Sequence, residues 1–229
     1  MPFFRRAKPG FYPRFCSLFP VFFALPFFPL HAQEVLRGEV QIPLEQARGF
    51  TVEETRSLNI DEARARALEE AARYYGAMIY GWSFHYEIGE RARNIEEHLE
   101  LVPLGAIAAE DPRLESTNLQ VKDFKLYLWS DYRLSGDQQY RLSKWKTGTI
   151  RSVQGYGHGS LENKYAALED AARAALRSML RGGERNRPKE ASGYISLRTF
   201  PRYWLDQGQW MAAGRFLVEI QEIIPFAAY

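Results

Sequence analysis

The chain has 229 residues, of which 46% are hydrophobic and 25% are charged, and its formal net charge is +2. This length and composition indicate one or two ordinary domains with real hydrophobic cores. The sequence has no low-complexity tract, and no stripe of Lys and Arg indicates nucleic-acid binding.

The first 32 residues have the layout of a secretory signal peptide. Arg5, Arg6, Lys8 and Arg14 form a basic segment, an uncharged apolar run follows at 15–28, and Ala32 precedes the expected cleavage site. The apolar run is shorter than the roughly 20 residues that span a bilayer. We therefore predict cleavage after Ala32 and a periplasmic or secreted mature protein; an uncleaved anchor is the alternative.

Removal of this leader changes the charge balance and the cysteine count. The mature region would carry 26 basic and 28 acidic residues, a net charge of −2, because four basic residues lie in the leader. Cys16, the one cysteine, also lies in the leader. A mature chain without cysteine suits an oxidising compartment and excludes disulfides, thiolate metal sites and a cysteine nucleophile.

Two segments 100 residues apart have nearly the same sequence. Residues 67–73 read ALEEAAR and residues 167–173 read ALEDAAR. Apolar residues at steps of three and four predict amphipathic helices over 61–81 and 160–183, with Asn59 and Ser160 as N-caps. A short strand-like segment that contains a glycine precedes each helix, at 37–43 and 147–153.

Each predicted helix is followed by a hairpin signal. In the first half we predict one strand over 121–134, a turn over 135–139 and a partner strand from 140. In the second half a strand over 193–205 runs into a turn at 206–209, and the partner strand follows. Tyr132 corresponds to Tyr203 at an offset of 71, which implies roughly 29 extra residues in the first half, at about 82–118.

These signals predict an α+β fold built from two β-α-β-β modules. Each module would pack one helix on an antiparallel sheet, and the first would carry the insertion. The predicted boundaries are 1–32 for the signal peptide, 33–147 for the first module and 148–229 for the second.

Three glycines follow the strand-like segment of the second half, as in some phosphate-binding loops. Gly155, Gly157 and Gly159 read G-x-G-x-G, whereas a dinucleotide fingerprint needs G-x-G-x-x-G. A P-loop would need a Lys after the last glycine, and Ser160 and Leu161 stand there. We predict a structural turn with positive φ, with the strand close to the helix, and no nucleotide binding.

The second copy has a V-x-G-x-G strand end and a helix with alanines at regular spacing. Its pattern resembles the Lpp-twenty lipoprotein family and the related N-terminal module of the flagellar assembly protein FlgT. The resemblance implies a cell-envelope protein, in some members one that serves motility, and brings no catalytic motif. The matching residues are Val153, Gly155, Gly157, Ala167, Ala171, Ala172 and Ala175, with Ala63, Ala67, Ala71 and Ala72 in the first copy.

Aromatic residues are frequent in the strand-like segments. They alternate over residues 80–86 and recur around both predicted hairpins. An exposed aromatic patch would suit a protein partner or a glycan, and ordinary packing in strands and cores is the alternative. The candidate interaction surface comprises Trp82, Trp129, Trp204 and Trp210.

No group of residues indicates catalysis. His85, His98 and His158 are widely spaced, so we predict neither a metal site nor another cofactor. The leading hypothesis is a non-catalytic envelope protein with a structural or assembly role, with an envelope or flagellar-type protein partner and peripheral association with the outer membrane. The alternatives are a binder of small ligands, with a pocket between helix and sheet, and a hydrolase with a carboxylate pair.

Overall fold

The computed structural model describes residues 34–44, 58–89, 96–146, 150–181 and 188–225. These residues belong to one compact unit. The predicted leader and its cleavage site lie outside the described residues. The elements are β1 (Val35–Pro43), α1 (Ile60–Ile79), β2 (Trp82–Glu87), β3 (His98–Pro103), β4 (Leu114–Lys122), β5 (Lys125–Arg133), α2 (Gly136–Lys144), β6 (Arg151–Gly159), α3 (Lys164–Arg181), β7 (Pro188–Leu197), β8 (Arg202–Asp206) and β9 (Gln209–Pro225).

The predicted α+β class is confirmed: the strands form two antiparallel sheets with helices packed against them. Sheet A has the order β1-β5-β4, and sheet B has the order β3-β2-β7-β9-β6, with β8 also paired to β9. Apart from β2 and β3 in the first half and β8 in the second, each half contains a strand, a helix and two later strands, and the last strand lies between the other two. The order is β1-β5-β4 in the first half and β6-β9-β7 in the second.

The segment predicted as an insertion supplies two strands to the sheet of the other half. β2 and β3 form a hairpin, and β2 also pairs with β7 from Trp82↔Ile195 to Glu87↔Glu190. Trp82, Phe84 and Tyr86 point into the core, in agreement with the aromatic alternation. The two halves therefore share sheet B, and the proposed boundary at 147/148 lies outside the described residues.

The predicted hairpin of the first half is wrong in its position. The chain turns at Asp123 and Phe124, both with positive φ, so the residues predicted as one strand belong to β4 and β5. The predicted turn at 135–139 instead starts α2. Ser135 caps this helix, and Gln138 completes a capping box, so the backbone amides of both residues are satisfied.

In the second half, the predicted turn at 206–209 is present and joins β8 to β9 at Gln207 and Gly208. The strand predicted over 193–205 is wrong in extent, because these residues belong to two strands, β7 and β8. The correspondence between Tyr132 and Tyr203 is wrong, however. Tyr132 lies on β5, the central strand of sheet A, whereas Tyr203 lies on β8. In the second half, β9 lies between β6 and β7 and is therefore the counterpart of β5.

Both predicted long helices are present, with one cap corrected. The Asn59 side chain accepts a hydrogen bond from the Glu62 amide and caps α1. α3 begins at Lys164, and the Asn163 side chain, rather than Ser160, accepts from the Ala166 amide. The repeated alanines of both helices are buried, in the same phase, against their sheets; they are Ala67, Ala71 and Ala72 in α1 and Ala167, Ala171 and Ala172 in α3.

The three glycines of the second half lie within β6, and the predicted positive φ is wrong. Among the described glycines, positive φ occurs at Gly81 and Gly208. The close approach to the helix is present: a Cβ on Gly155 or Gly157 would overlap backbone atoms of Ala171. These glycines let the helix backbone lie directly on the strand backbone.

Candidate functional site

The four tryptophans predicted to form a surface do not lie together. Trp82 is 1% exposed and belongs to the core, so its assignment to a surface is corrected. Trp210 packs edge-on against Tyr203, and its indole Nε1 donates to the Leu161 carbonyl at 3.1 Å. Its role is to hold the start of α3 against sheet B.

Trp129 lies on the face of sheet A that α1 does not cover. Leu126 and Leu128 of β5 point into the core, so Tyr127 and Trp129 point to the other side. Their ring centroids are 6.4 Å apart. The direct cross-strand neighbours are polar, with Gln41 and Gln120 beside Tyr127 and Glu39 and Asn118 beside Trp129.

Trp204 lies on the face of sheet B opposite α3. Gly155 and Gly157 face α3, so Tyr156, which lies between them, points away from the helix. Trp204 pairs directly with Met211, and Tyr156 pairs with Ala213, two residues from Met211 on β9, which places these side chains on the same outer face.

The outer face of sheet B carries an apolar patch with two arginines on one side and the carboxylate of Asp206 at the end of β8 on the other. Tyr156 pairs with Ala213 in the row next to Trp204 and Met211. Tyr156 is 59% exposed and Trp204 is 41% exposed. We call Tyr156, Trp204, Met211 and Ala213 the Trp204 patch. Arg202 and Arg215 border it, because Arg202 pairs with Ala213 and Arg215 is the next outward residue of β9.

A second cluster joins the two halves around the ammonium group of Lys164. Its Nζ lies 2.7 Å from Glu70 Oε2 and donates to the Gln41 carbonyl at 3.2 Å. The rings of Tyr203 and Trp210 lie 4.6 and 5.2 Å from the same nitrogen. Carboxylate, carbonyl and two aromatic faces thus surround one cation, which joins α1 and β1 to α3, β8 and β9.

Tyrosines beside this cluster are held in the neutral form. Tyr74 donates to Glu70 at 2.9 Å, and burial, followed by the charge of Glu70, raises the pKa of its hydroxyl well above the ordinary value. Burial also raises the pKa of Tyr165 to about 12. Both hydroxyls are therefore protonated at neutral pH, and that of Tyr74 donates to Glu70.

A polar network lies between α1, β5 and α2. Arg113 forms two hydrogen bonds to the Asp111 carboxylate, at 3.0 and 2.7 Å, and one to Gln138 at 3.1 Å. The Gln138 amide donates to the hydroxyls of Tyr80 and Tyr132, both at 3.0 Å. Hydrogen bonds from Arg113 lower the pKa of Asp111 from 3.8 to about 2. The network fixes α2 against the end of α1.

This network forms the floor of a cleft of about 490 Å³ beside α2. Arg141 and Lys144 line the cleft from the last turn of α2. The Arg141 guanidinium lies 5.6 Å from the Tyr80 ring, and the Lys144 ammonium lies 4.8 Å from the Tyr140 ring. Sequence reasoning missed this cleft, since its residues were assigned to a turn and a strand.

The histidines do not converge on one site. His85 lies 3.0 Å from Glu87 on β2, and His158 lies 3.0 Å from Asp170 of α3. Within the described ranges, no group of three His, Asp or Glu residues is arranged to hold a metal ion. Over the same ranges, no helix is both long and apolar enough to span a membrane.

A protein-family model matches residues 28–226, which include every helix and strand described above. The chain belongs to this family. An uncharacterised protein of Treponema pallidum (strain Nichols) is 26% identical over 165 residues, which cover 70% of this chain and 69% of the relative. No solved structure matches the chain. The family and this relative carry no functional assignment, so the function is argued from the geometry.

Proposed function

We propose that this member of the family is an exported, non-catalytic cell-envelope protein that binds a protein partner through the outer face of sheet B. The observation that carries the proposal is the Trp204 patch. Trp, Tyr, Met and Arg are the residue types enriched where protein interfaces gain most of their affinity. On this face an indole and a phenol flank Met211, with two guanidinium groups at the border.

The packing of the opposite face makes this side suitable for recognition. α3 lies directly on the glycines of β6, so the inner face is filled by the helix and leaves no room for a ligand at that contact. The outer side chains stand on β9 and on β6 and β8, each of which is hydrogen-bonded to β9. A surface on paired strands is preorganised, which lowers the entropy lost on binding.

Two features of the sequence support the proposed export and the proposed role in the cell envelope. The first 32 residues have the composition of a cleavable export signal. The resemblance of the glycine strand and alanine helix to envelope and flagellar-assembly modules suggests an assembly role, including one in motility. Both features support a partner in the cell envelope.

Site-specific cross-linking tests the surface. A photoreactive residue would replace Trp204 in one full-length chain and Trp129 in another, and each chain would be expressed in cells that export it. We expect the probe at 204 to give one reproducible envelope adduct that the probe at 129 does not give. Tyr156→Ala combined with Met211→Ala should remove that adduct.

Sheet A provides the control for this experiment. Tyr127→Ala, on the open face of sheet A, should leave the adduct at position 204 unchanged. Equal adducts from both probes, or an adduct that survives loss of Tyr156 and Met211, would reject the Trp204 patch as the interface.

A further inference from the structure

The cleft beside α2 has the chemistry of a site for an anion. It is lined by the side chains of Tyr80, Ser135, Asp137, Tyr140, Arg141 and Lys144. Its volume of about 490 Å³ falls within the range of small-molecule sites, roughly 300–1,000 Å³. It lies between α2 and the segments that hold Tyr80, after α1, and Arg113, before β4. It shares no residue with the Trp204 patch, and the proposal does not depend on the function proposed for that patch.

The hydrogen-bonding groups at the floor of the cleft already have partners within the protein. Gln138 is 4% exposed; its side-chain oxygen accepts from Arg113 and from the Ser135 amide, and its nitrogen donates to two tyrosines. The Arg113 guanidinium is occupied by Asp111 and Gln138. A satisfied buried network is rigid, so it holds the groups above it in place without competing for a ligand.

The groups that face the cleft above this floor are mainly donors. Within the part of the chain that the structure describes, Arg141 and Lys144 form no ion pair, and each cationic group lies near a tyrosine ring. The Tyr80 oxygen accepts from Gln138, and the Ser135 oxygen accepts from the Gln138 amide, so both hydroxyl protons remain for another acceptor.

The charge of the cleft favours an anion. Because Arg113 is neutralised by Asp111, the remaining charges are the two cations Arg141 and Lys144 and the single carboxylate of Asp137. Arg and Lys donors bind phosphate oxygens through charge-assisted hydrogen bonds, which are about twice as strong as neutral ones. A phosphate monoester carries a charge of about −1.5 to −2 at neutral pH and accepts several such bonds.

We propose that this cleft binds a phosphate monoester or diester group attached to an organic moiety. Arg141, Lys144, Tyr80 and Ser135 supply the donors to the phosphate oxygens. The phosphate fills part of the cleft, and the organic moiety lies against the Tyr140 ring. A soluble organic phosphate and a phospholipid headgroup share this chemistry.

Calorimetric titration of the full chain tests the site with inorganic phosphate and with phenyl phosphate. We expect saturable binding, tighter for phenyl phosphate because its ring contacts Tyr140. Arg141→Gln with Lys144→Gln should weaken binding by about tenfold or more, since both charged donors are lost. Lys122→Gln with Lys125→Gln removes the same charge from the exposed β4–β5 hairpin and should leave binding unchanged.

Vesicles identify the source of the phosphate. Binding to vesicles with phosphatidylglycerol but not to pure phosphatidylcholine, lost in the Arg141/Lys144 variant, identifies a lipid headgroup. Binding of phenyl phosphate without vesicle binding identifies a soluble ligand. The absence of saturable binding to either phosphate and to the anionic vesicles overturns the site. Equal weakening by the Lys122/Lys125 variant also overturns it, because the binding would then follow net charge alone.

Discussion

Lys164, the first residue of α3, and Glu70, on α1, form an ion pair in which Nζ and Oε2 lie 2.7 Å apart. Both side chains are largely shielded, with 15% and 21% of their surface exposed. The pair joins the two halves of the protein at a place where aromatic rings also face the cation. The electrostatic attraction within a pair shielded in this way is stronger than that within a pair on an open surface, because solvent and salt screen it less.

A double-mutant cycle on this pair should give a measurable coupling energy. Lys164→Met and Glu70→Gln are each expected to destabilise the protein by about 1–3 kcal/mol, because each leaves a shielded partner without its counter-charge. The double variant should recover part of that loss. The measurement is the free energy of unfolding in urea.

The exposed pair between Arg133 and Glu115 is the matched control. Its atoms lie 2.9 Å apart, but its side chains are 50% and 46% exposed. We expect a coupling of roughly 0–1 kcal/mol there, as for surface pairs in general. Equal coupling in the two cycles would show that the shielding around Lys164 has no energetic effect.

The Asp111 carboxylate should make stability depend on pH in the acidic range. Hydrogen bonds from Arg113 lower its pKa from 3.8 to about 2 in the folded protein. The unfolded state therefore takes up a proton first as the pH falls, so the stabilisation is complete above about pH 4 and is lost towards pH 2. Asp111→Asn should be less stable than the wild type at neutral pH.

Urea unfolding between pH 2 and pH 7 measures this effect. The difference between the wild type and Asp111→Asn should shrink as the pH falls from about 4 to about 2. Asp206→Asn changes an exposed carboxylate at the end of β8. Its free energy of unfolding should vary with pH as that of the wild type does. If the difference in free energy of unfolding between the wild type and Asp111→Asn is the same at every pH, protonation of Asp111 does not weaken its ion pair with Arg113.

The glycines of β6 should be required for the close contact with α3. In Gly157→Ala the new Cβ would overlap the Ala171 amide nitrogen and the Ala167 carbonyl oxygen. Backbone atoms cannot rotate away, so the helix must shift. We expect a loss of about 2 kcal/mol or more, at the upper part of the range for overpacked cores.

Gly136→Ala serves as the control for this substitution. Gly136 is the first residue of α2, and a Cβ there would meet no atom within 4 Å. Alanine is a better helix former than glycine, so this variant should be neutral or stabilised by up to about 1 kcal/mol. If Gly157→Ala is equally harmless, the helix is not held by backbone contact.

Much of the fold could be predicted because local signals agree with tertiary packing. The alanine periodicity gave both long helices, and Asn59 was identified as a cap from its residue type alone. The first hairpin was missed because its turn residues are Asp123 and Phe124, which lack the glycine typical of a turn with positive φ. The capping box of Ser135 and Gln138 was present in the sequence, but was interpreted as a turn.

The candidate sites were harder to predict, because they depend on strand pairing. Trp204, Met211 and Tyr156 become neighbours only when β8, β9 and β6 align in register. Trp82 and Trp204 are both tryptophans in strands, yet one is buried and the other is exposed. Residue type therefore identified candidates, whereas register determines which of them share a surface.

Export should produce a shortened protein. Cleavage after Ala32 would give a mature N-terminus at Gln33 or within a few residues of it. Intact-mass spectrometry of the protein from the envelope fraction measures this directly. Retention of the segment 1–32 would contradict cleavage and would indicate a membrane-anchored protein.

The two halves should respond alike to the same substitution in α1 and α3. Ala71 and Ala171 are both fully buried against their sheets. A leucine at either position has no space, so Ala71→Leu and Ala171→Leu should each destabilise the protein by roughly 1–3 kcal/mol. Urea unfolding of the two variants gives the comparison.

Substitutions two residues earlier test the orientation of the same helices. Glu69 is exposed, and Glu169 is half-buried beside Arg173 at 3.8 Å. Glu69→Ala and Glu169→Ala should therefore change stability by less than about 0.5 kcal/mol. A large effect of leucine in one helix and none in the other would mean that the helices pack differently. The shared sequence of the two helices would then reflect helix composition, and the matching strand order would no longer indicate two copies of one module.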